Sequence, residues 1–358
     1  MLRLITIEQF GTTKTDEEGV AKISLTNNNG MKIELLNYGA ILMSALVPDR
    51  NDILRDIVLG FQTLEEYESD VHNIGAIIGR VAGHISYGKF AVDSKEYELG
   101  LNAPPHHVDG GTRGSLSKKL WKYELLDEGN GVCFTCTSHD GEGGYPGQVH
   151  LEVTYILTNE NEIVIDYRAS TDKSTILNIA NNTYFNLDGE GTPSLKNHVL
   201  QLFTPNYLPT DENGFPTAKT AEIASRKISQ FNFLAALKLS DLMERNDNKL
   251  DYNHDFCFEM DELNTSRKFR PIASVASTSN GIKMTVSTTY PCVHVNMGSR
   301  FNGISGKANH VYDRYSAFTL QCRGLSDAIN QPHYPSIILR SDELYQQLTI
   351  YRFGLDDE

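Results

Sequence analysis

The sequence has few cysteines and no long hydrophobic run. Its 358 residues include five cysteines, an odd and sparse set that argues against a disulfide framework and favours reduced thiols. No segment approaches the roughly 20 consecutive apolar residues that a membrane-spanning helix needs. Residues 1–8 also lack the apolar stretch and cleavage site of a signal peptide. Together these absences predict a cytoplasmic protein with no membrane partner.

Basic residues are also scarce relative to acidic ones. The chain has 32 Lys+Arg against 46 Asp+Glu, a formal net charge of −14. Nucleic acids are bound by clustered Lys and Arg, so this balance argues against a nucleic-acid partner. Hydrophobic residues at 40% and charged residues at 22% are typical of an ordinary folded protein rather than a disordered one. Net charge alone does not separate an enzyme from a binding protein.

One cysteine pair has the CxxC spacing of metal and redox sites. Cys133 and Cys136 lie in a strand-like run, and no second CxxC accompanies them. Because successive strand residues point to opposite faces, the two thiols are expected to diverge. We therefore expect no metal or redox role for them.

The abundant feature is two-residue alternation of apolar and polar side chains. Such runs are about one strand long and are bounded by Gly, Asn, Asp or Pro; they include residues 21–26, 32–36, 149–157, 162–167 and 282–288. Helical patterns are few: residues 233–244 predict a helix of about three turns, and Thr63 could cap a short one. No Pro- or Ser-rich linker marks a boundary. The sequence predicts a single all-β domain over residues 1–358, a large antiparallel β-sandwich with few short helices.

Three stretches are more specific than composition. They are residues 75–90 (GAIIGRVAGHISYGKF), 178–189 (NIANNTYFNLDG) and 326–336 (SDAINQPHYPS). Together with residues 140–147 (DGEGGYPG), they resemble the aldose 1-epimerase (galactose mutarotase) family. The similarity runs from about residue 38 to residue 353 in the family's order and spacing. It implies the large twisted antiparallel β-sandwich of the galactose mutarotase type.

The resemblance also implies a chemistry. A mutarotase opens and recloses the ring of a reducing sugar, so a base must deprotonate the anomeric hydroxyl while an acid protonates the ring oxygen. In the family a Glu is the base and a His is the acid, and an Arg, a second His and an Asp hold the sugar hydroxyls. By alignment the base position falls on Gln321 and the acid position on Asn182. Amides do not ionise, so ordinary galactose mutarotase activity is expected to be weak or absent.

The sugar-holding positions are also changed. The family's Gly-Arg motif falls on Arg80, which could still fork onto sugar oxygens. The second His falls on Asp109, the Asp on Asn253, and a further polar position, usually Gln, on His294. His254 matches a His that is usual in the family, where packing is as plausible a role as ligand contact.

New ionisable groups therefore accompany the lost ones. In an extended chain His107 and Asp109 would share a face, and His294 would join them from another strand. An alternative alignment, offset by two residues, puts His107 at the second His position. The predicted proton-transfer residues are His107, Asp109 and His294; the predicted substrate contacts are Arg80, Asn182, Asn253, Gln321 and His254.

Two functions remain open on the sequence. The first is an isomerase with a rebuilt site acting on a small cyclic hemiacetal, polyol or related metabolite. The second is a non-catalytic carbohydrate-binding or regulatory protein using the same cleft. Residues 106–109 with His294 could be read as metal ligands, but nothing in the resemblance implies a metal. We expect no cofactor, and a monomer or homodimer that binds a small molecule.

Overall fold

The computed structural model describes residues 4–14, 17–212, 214–217, 220–223, 231–258 and 268–356. Strands dominate these residues, and every pairing between the strands named below is antiparallel. The predicted all-β fold is therefore confirmed. The expectation of one domain over residues 1–358 stays a prediction.

A nine-stranded sheet forms one layer. Its strands, in spatial order, are β11 (Lys122–Leu125), β12 (Gly131–Ser138), β13 (Val149–Leu157), β14 (Glu162–Thr171), β29 (Tyr345–Leu355), β23 (Ile282–Thr288), β22 (Arg270–Ser277), β17 (His198–Leu202) and β20 (Leu237–Lys238). Burial alternates along β13, whose Val149, Leu151 and Val153 face the core while His150 and Glu152 are exposed. This two-residue period is what the sequence pattern predicted.

The N-terminal part of the chain forms a five-stranded sheet in sequence order. Its strands are β1 (Leu4–Thr12), β2 (Gly19–Thr26), β3 (Lys32–Leu36), β4 (Ile41–Pro48) and β5 (Leu54–Asp56). A register shift lies between Gln9 and Gly11 of β1, where β1 passes helix α1 (Leu64–Ser69). There the absent side chain of Gly11 leaves room for Leu64 of that helix.

A third sheet of five strands carries most of the polar residues discussed below. Its order is β19 (Ala221–Glu222), β18 (Asn206–Tyr207), β21 (Asn253–Cys257), β24 (Cys292–Asn296) and β27 (Thr319–Arg323). Five short strand pairs complete the described strands: β6 (Ile77–Ile78) with β16 (Ala180–Asn181), β7 (His84–Ile85) with β10 (His107–Val108), β8 (Lys89–Val92) with β9 (Lys95–Glu98), β15 (Thr175–Ile176) with β28 (Ile338–Leu339), and β25 (Ile304–Ser305) with β26 (Val311–Tyr312).

The core joins the three large sheets. Its largest cluster takes side chains such as Ile33 of β3, Val153 of β13 and Val295 of β24, all fully buried. Trp121, the single tryptophan of the chain, is also buried in this cluster. A continuous, close-packed apolar interior of this kind supports the third sheet from one side.

The two α-helices of the described residues are short. Helix α1 begins after Thr63, whose hydroxyl accepts from Glu66 N while the Glu66 carboxylate accepts from Thr63 N, a capping box that confirms the predicted cap. Helix α2 (Leu239–Arg245) is shorter than predicted. The predicted start at residue 233 is wrong because Leu237 and Lys238 pair with β17 as strand β20.

The CxxC pair of the sequence lies on a single strand. All five thiols are free, and Cys133 and Cys136 fall three positions apart on β12. Burial raises the pKa of Cys136 to about 11, which disfavours a reactive thiolate. No helix in the described part of the chain is long and apolar enough to span a membrane.

Candidate functional site

A polar cleft of about 290 Å³ opens over the third sheet. Strands β21, β24 and β27 are neighbours, and Asp255 lies opposite His294, which in turn lies opposite Gln321. Two residues along the strands, and therefore on the same face, Asn253 lies opposite Asn296. Side chains directly opposite one another in antiparallel strands share a face. The ladder therefore places a row of polar groups along one surface of the cleft.

His294 stands at the centre of this surface. Its Nδ1 is 2.7 Å from Asp255 Oδ1, and its Nε2 is 3.1 Å from Asn253 Oδ1. Burial alone would raise the pKa of Asp255, but Arg323 and hydrogen bonds from His294 and Ser326 outweigh it and hold that pKa below its ordinary value. Asp255 is therefore an ionised carboxylate that orients the imidazole.

Arg323 neutralises the buried Asp255 carboxylate. Its Nη2 donates to Asp255 Oδ1 over 2.6 Å and its Nη1 donates to Ser326 Oγ over 2.9 Å. Ser326 N also donates to Asp255 Oδ2 over 3.1 Å. The guanidinium occupies the space beside Gly83, where a Cβ would lie 2.2 Å from Arg323 Nη1. Because Gly83 also has φ +87°, a side chain at this position would both strain the backbone and displace Arg323.

Of the amides that line the cleft, Gln321 and Asn253 keep free hydrogen-bonding atoms. Gln321 Nε2 donates to Asn182 Oδ1 over 3.3 Å, and Asn182 Nδ2 donates to the carbonyls of residues 72 and 73. In the described part of the chain, Gln321 Oε1 accepts no hydrogen bond and Asn253 Nδ2 donates none. The cleft thus presents an acceptor and a donor to a hydroxyl-bearing ligand.

Asp109 reaches the cleft from a loop rather than from a strand. Its φ is +51°, so the chain turns immediately after β10. Asp109 Oδ1 accepts from Gly83 N over 2.8 Å, and Asp109 N donates to Gly83 O over 2.9 Å. These paired bonds fix the loop against β7 and leave the second carboxylate oxygen beside the cleft.

The side chains that line the cleft also include an arginine and two histidines. Arg300 and His72 lie at its rim, and His84 is buried in its wall. Burial lowers the pKa of His84 to about 4, so this imidazole is uncharged near neutral pH. Its ring lies against those of His106 and Phe215.

Arg80 lies outside the cleft. Its Nε donates to Ser138 Oγ over 2.9 Å, its Nη1 to Pro146 O over 2.9 Å and to Thr175 Oγ1 over 3.4 Å, and its Nη2 to His139 O over 2.7 Å and to Ser138 O over 3.0 Å. The side chain is fully buried and does not line the cleft. Its donors are engaged, so it joins loops together instead of facing a ligand.

Replacing Arg80 with alanine is expected to lower the free energy of unfolding by about 3 kcal/mol, because several buried carbonyls lose their donor. Urea unfolding measures this loss. The exposed Arg168, changed to alanine in the same way, is the control and is expected to change stability by less than about 1 kcal/mol. A stable Arg80→Ala protein that had lost only ligand affinity would contradict this structural role.

His107 is buried behind the cleft wall. Its Nδ1 donates to Gly100 O over 2.6 Å, and its Nε2 accepts from the Tyr145 hydroxyl over 2.7 Å. Burial lowers the pKa of His107, although Gly100 O and Asp109 act in the opposite direction. The expected shared face with Asp109 is not formed, because the positive φ at Asp109 turns the two side chains apart. Gly111 separates the ring from the cleft.

His254 faces the opposite side of the third sheet from His294. It lies opposite Val295 of β24, a buried core residue. Its Nε2 is 3.4 Å from Thr210 Oγ1, and its ring packs on Phe231. Burial lowers the pKa of His254 to about 4. The structure therefore groups Asp109, Asn182, Asn253, Gln321 and His294 at the cleft, and leaves Arg80, His107 and His254 away from it.

The described residues do not support the metal site considered for residues 106–109 with His294. No group of three or more His, Cys, Asp or Glu side chains there could hold a metal ion. A larger cavity of about 680 Å³ lies near Arg270, Ile338 and Tyr345, and none of the predicted site residues lines it. The smaller polar cleft is therefore the candidate site.

Comparison with known proteins agrees with the motifs. Residues 21–352 match the family described as Aldose 1-epimerase. The chain is 34% identical over 352 residues to galactose mutarotase of Rattus norvegicus, covering 98% of this chain and 99% of the relative. It is 31% identical over 334 residues to aldose 1-epimerase of Escherichia coli (strain K12), covering 92% and 94%.

Solved structures show the same fold. The GalM/aldose epimerase homologue of C. elegans superposes with a TM-score of 0.86 at 27% identity, over 94% of this chain and 100% of that one. Galactose 1-epimerase of Lactobacillus acidophilus superposes with a TM-score of 0.81 at 25% identity, over 99% of each chain. The sandwich type expected from the resemblance is confirmed.

Proposed function

This chain belongs to the aldose 1-epimerase family, and from that premise we propose that it is an isomerase with a rebuilt active site acting on a small cyclic hemiacetal. The observation that carries the proposal is the imidazole of His294, oriented by the ionised Asp255 and set among the cleft amides. An imidazole so placed can give a proton to a ring oxygen and take it back on closure.

Asp109 is the proposed partner in proton transfer. Its carboxylate is the acidic side chain that lines the cleft, and one of its oxygens is not engaged by Gly83. A carboxylate can accept the proton of an anomeric hydroxyl while the imidazole protonates the ring oxygen. His107 is not assigned this task, because its ring is buried and does not line the cleft.

The amides are proposed to hold the ring. Gln321 Oε1 and Asn253 Nδ2 are free to bond hydroxyls, and Asn182 supports Gln321. A cleft of about 290 Å³ suits one small ring rather than an oligosaccharide. Because neither Asn182 nor Gln321 ionises, ordinary galactose mutarotase activity is proposed to be weak or absent.

A polarimeter tests the proposed loss of ordinary activity. The purified chain, added to fresh α-D-galactose or α-D-glucose, is expected to leave the mutarotation rate close to that of buffer, because a missing acid and base each cost about 10²–10⁴ in rate. A galactose mutarotase assayed beside it is the positive control. Equilibration as fast as that control would contradict the proposed loss.

Ring opening itself is tested by NMR exchange on a panel of cyclic hemiacetals. The parent chain is expected to open the ring of at least one member. The rate is expected to fall in the His294→Gln and Asp109→Asn variants and to persist in a His150→Gln control. His150 is an exposed residue of β13 outside the cleft.

A carbohydrate-binding protein is the second candidate. The free amide atoms of Gln321 and Asn253 favour it, because hydrogen bonds to hydroxyls need no ionisable group. Calorimetric titration with the same panel separates the two functions. Binding without ring opening of any bound member supports the second candidate and contradicts the first.

A further inference from the structure

The hydrogen bonds around His294 are ordered by a backbone amide, which can only donate. Gly298 N donates to Asn296 Oδ1 over 2.8 Å. That bond orients the Asn296 amide, whose Nδ2 then donates to Asn253 Oδ1 over 3.0 Å. The oxygen of Asn253 is therefore the atom that faces His294 Nε2. An acceptor is presented to this ring nitrogen.

The other ring nitrogen also faces an acceptor. His294 Nδ1 lies 2.7 Å from Asp255 Oδ1, and that carboxylate is ionised. Both nitrogens are thus placed to donate, which is the hydrogen-bonding pattern of the imidazolium form. A neutral imidazole would leave one nitrogen lone pair pointing at an oxygen. The geometry favours a cation at the centre of the cleft.

The charges of the cleft do not cancel. Asp255 is already matched by Arg323, in an ion pair of 2.6 Å. Arg300 lines the rim, and no carboxylate in the described residues forms an ion pair with it. The described residues that line the cleft include one carboxylate, Asp109, to balance His294 and Arg300, although the whole chain has 46 acids to 32 bases. His84 is uncharged, so it does not alter this balance.

We propose that the ligand of this cleft is an anion: a single-ring sugar that carries a carboxylate or a phosphate. One negative charge balances the surplus positive charge, and a cleft lined by charge of one sign attracts ligands of the opposite sign. Arg300 supplies a planar fork that fits either group, and its exposed position at the rim is open to a substituent projecting from the ring. The sugar ring rests on the proposed function, whereas the anionic group rests on the charges alone.

Calorimetry on the full chain tests the anionic group with matched sugars. D-Glucose, D-glucuronate and D-glucose 6-phosphate differ mainly in charge, and inorganic phosphate alone serves as a probe without a ring. At least one charged sugar is expected to bind about tenfold or more tightly than D-glucose, a preference that weakens as salt is added. Glucuronate and glucose 6-phosphate separate the carboxylate from the phosphate.

Variants at two arginines locate the effect. Arg300→Gln is expected to reduce the preference for the charged sugar to within about threefold. Arg352→Gln, at an exposed residue of β29 outside the cleft, is the control and is expected to preserve this preference. Equal binding of charged and neutral sugars overturns the proposal. So does a preference that survives Arg300→Gln, or no binding of any of these anions.

The result also separates this inference from the proposed isomerase. An anion preference without ring opening supports the anionic ligand and contradicts the isomerase. Ring opening of neutral sugars without an anion preference supports the isomerase and overturns the anionic ligand. NMR exchange and calorimetry on the same samples give both answers.

Discussion

The double variant Asn182→His, Gln321→Glu is expected to mutarotate α-D-galactose at least about 100-fold faster than the parent chain. By resemblance to the family, these two positions hold its acid and its base. They lie side by side in the cleft, with Gln321 Nε2 3.3 Å from Asn182 Oδ1. The substitutions therefore restore an ionisable pair where the fold already places it, and polarimetry measures the gain.

The single variants are the first control for this gain. Each is expected to fall short of the double variant, because an acid and a base that act on one bond are not additive. The exposed pair Asn28→His, Gln9→Glu adds the same groups outside the cleft and is expected to leave the rate unchanged. An inactive double variant would show that other cleft residues, such as His294 opposite position 321, also block the ancestral reaction.

The fold was predictable because burial on one face leaves a two-residue period. Strands β13 and β14 alternate buried and less buried residues throughout, and the sequence shows this alternation directly. Residues 233–238 were less predictable. Their apolar spacing favours a helix, but pairing of Leu237 with Leu200 in β17 overrides that local preference.

The site was predictable in part. Alignment of motifs identified Asn182, Asn253, Gln321 and His294, and all four line the cleft. Asp255 and Arg323 were missed, although strand parity could have found them. In β21, Asn253 and Asp255 must share one face while His254 takes the other, so a polar position at 253 points to 255 rather than 254.

The conformation of one loop explains why the sequence did not place His107 correctly. An extended chain through Asp109 would have put His107 on the cleft face, but φ of +51° at Asp109 ends β10 there. The expected contact of Arg80 with a substrate is not supported for another reason. Its motif is recognisable, yet only the structure shows that backbone carbonyls of distant loops, at Pro146 and His139, take up its donors.

Replacing Asp255 with asparagine is expected to lower the free energy of unfolding by about 3–5 kcal/mol near neutral pH, because it leaves Arg323 as an uncompensated buried cation. The amide keeps the shape of the carboxylate, so the loss reports charge rather than volume. Urea unfolding of the parent, the variant and an exposed control, Asp342→Asn, measures it. The control is expected to stay within about 0.5 kcal/mol of the parent.

The pH dependence of that loss gives a second signature of the same carboxylate. Asp255 has a pKa below its ordinary value in the folded chain, whereas an Asp in the unfolded chain has a pKa of about 3.9. Below that pH the unfolded state binds more protons, so the stability due to Asp255 is complete above about pH 4–5 and declines as the solution is acidified. The difference between parent and Asp255→Asn should therefore shrink below about pH 4. A difference that stayed constant down to pH of about 2.5 would mean that packing, and not the ion pair with Arg323, stabilises this wall of the cleft.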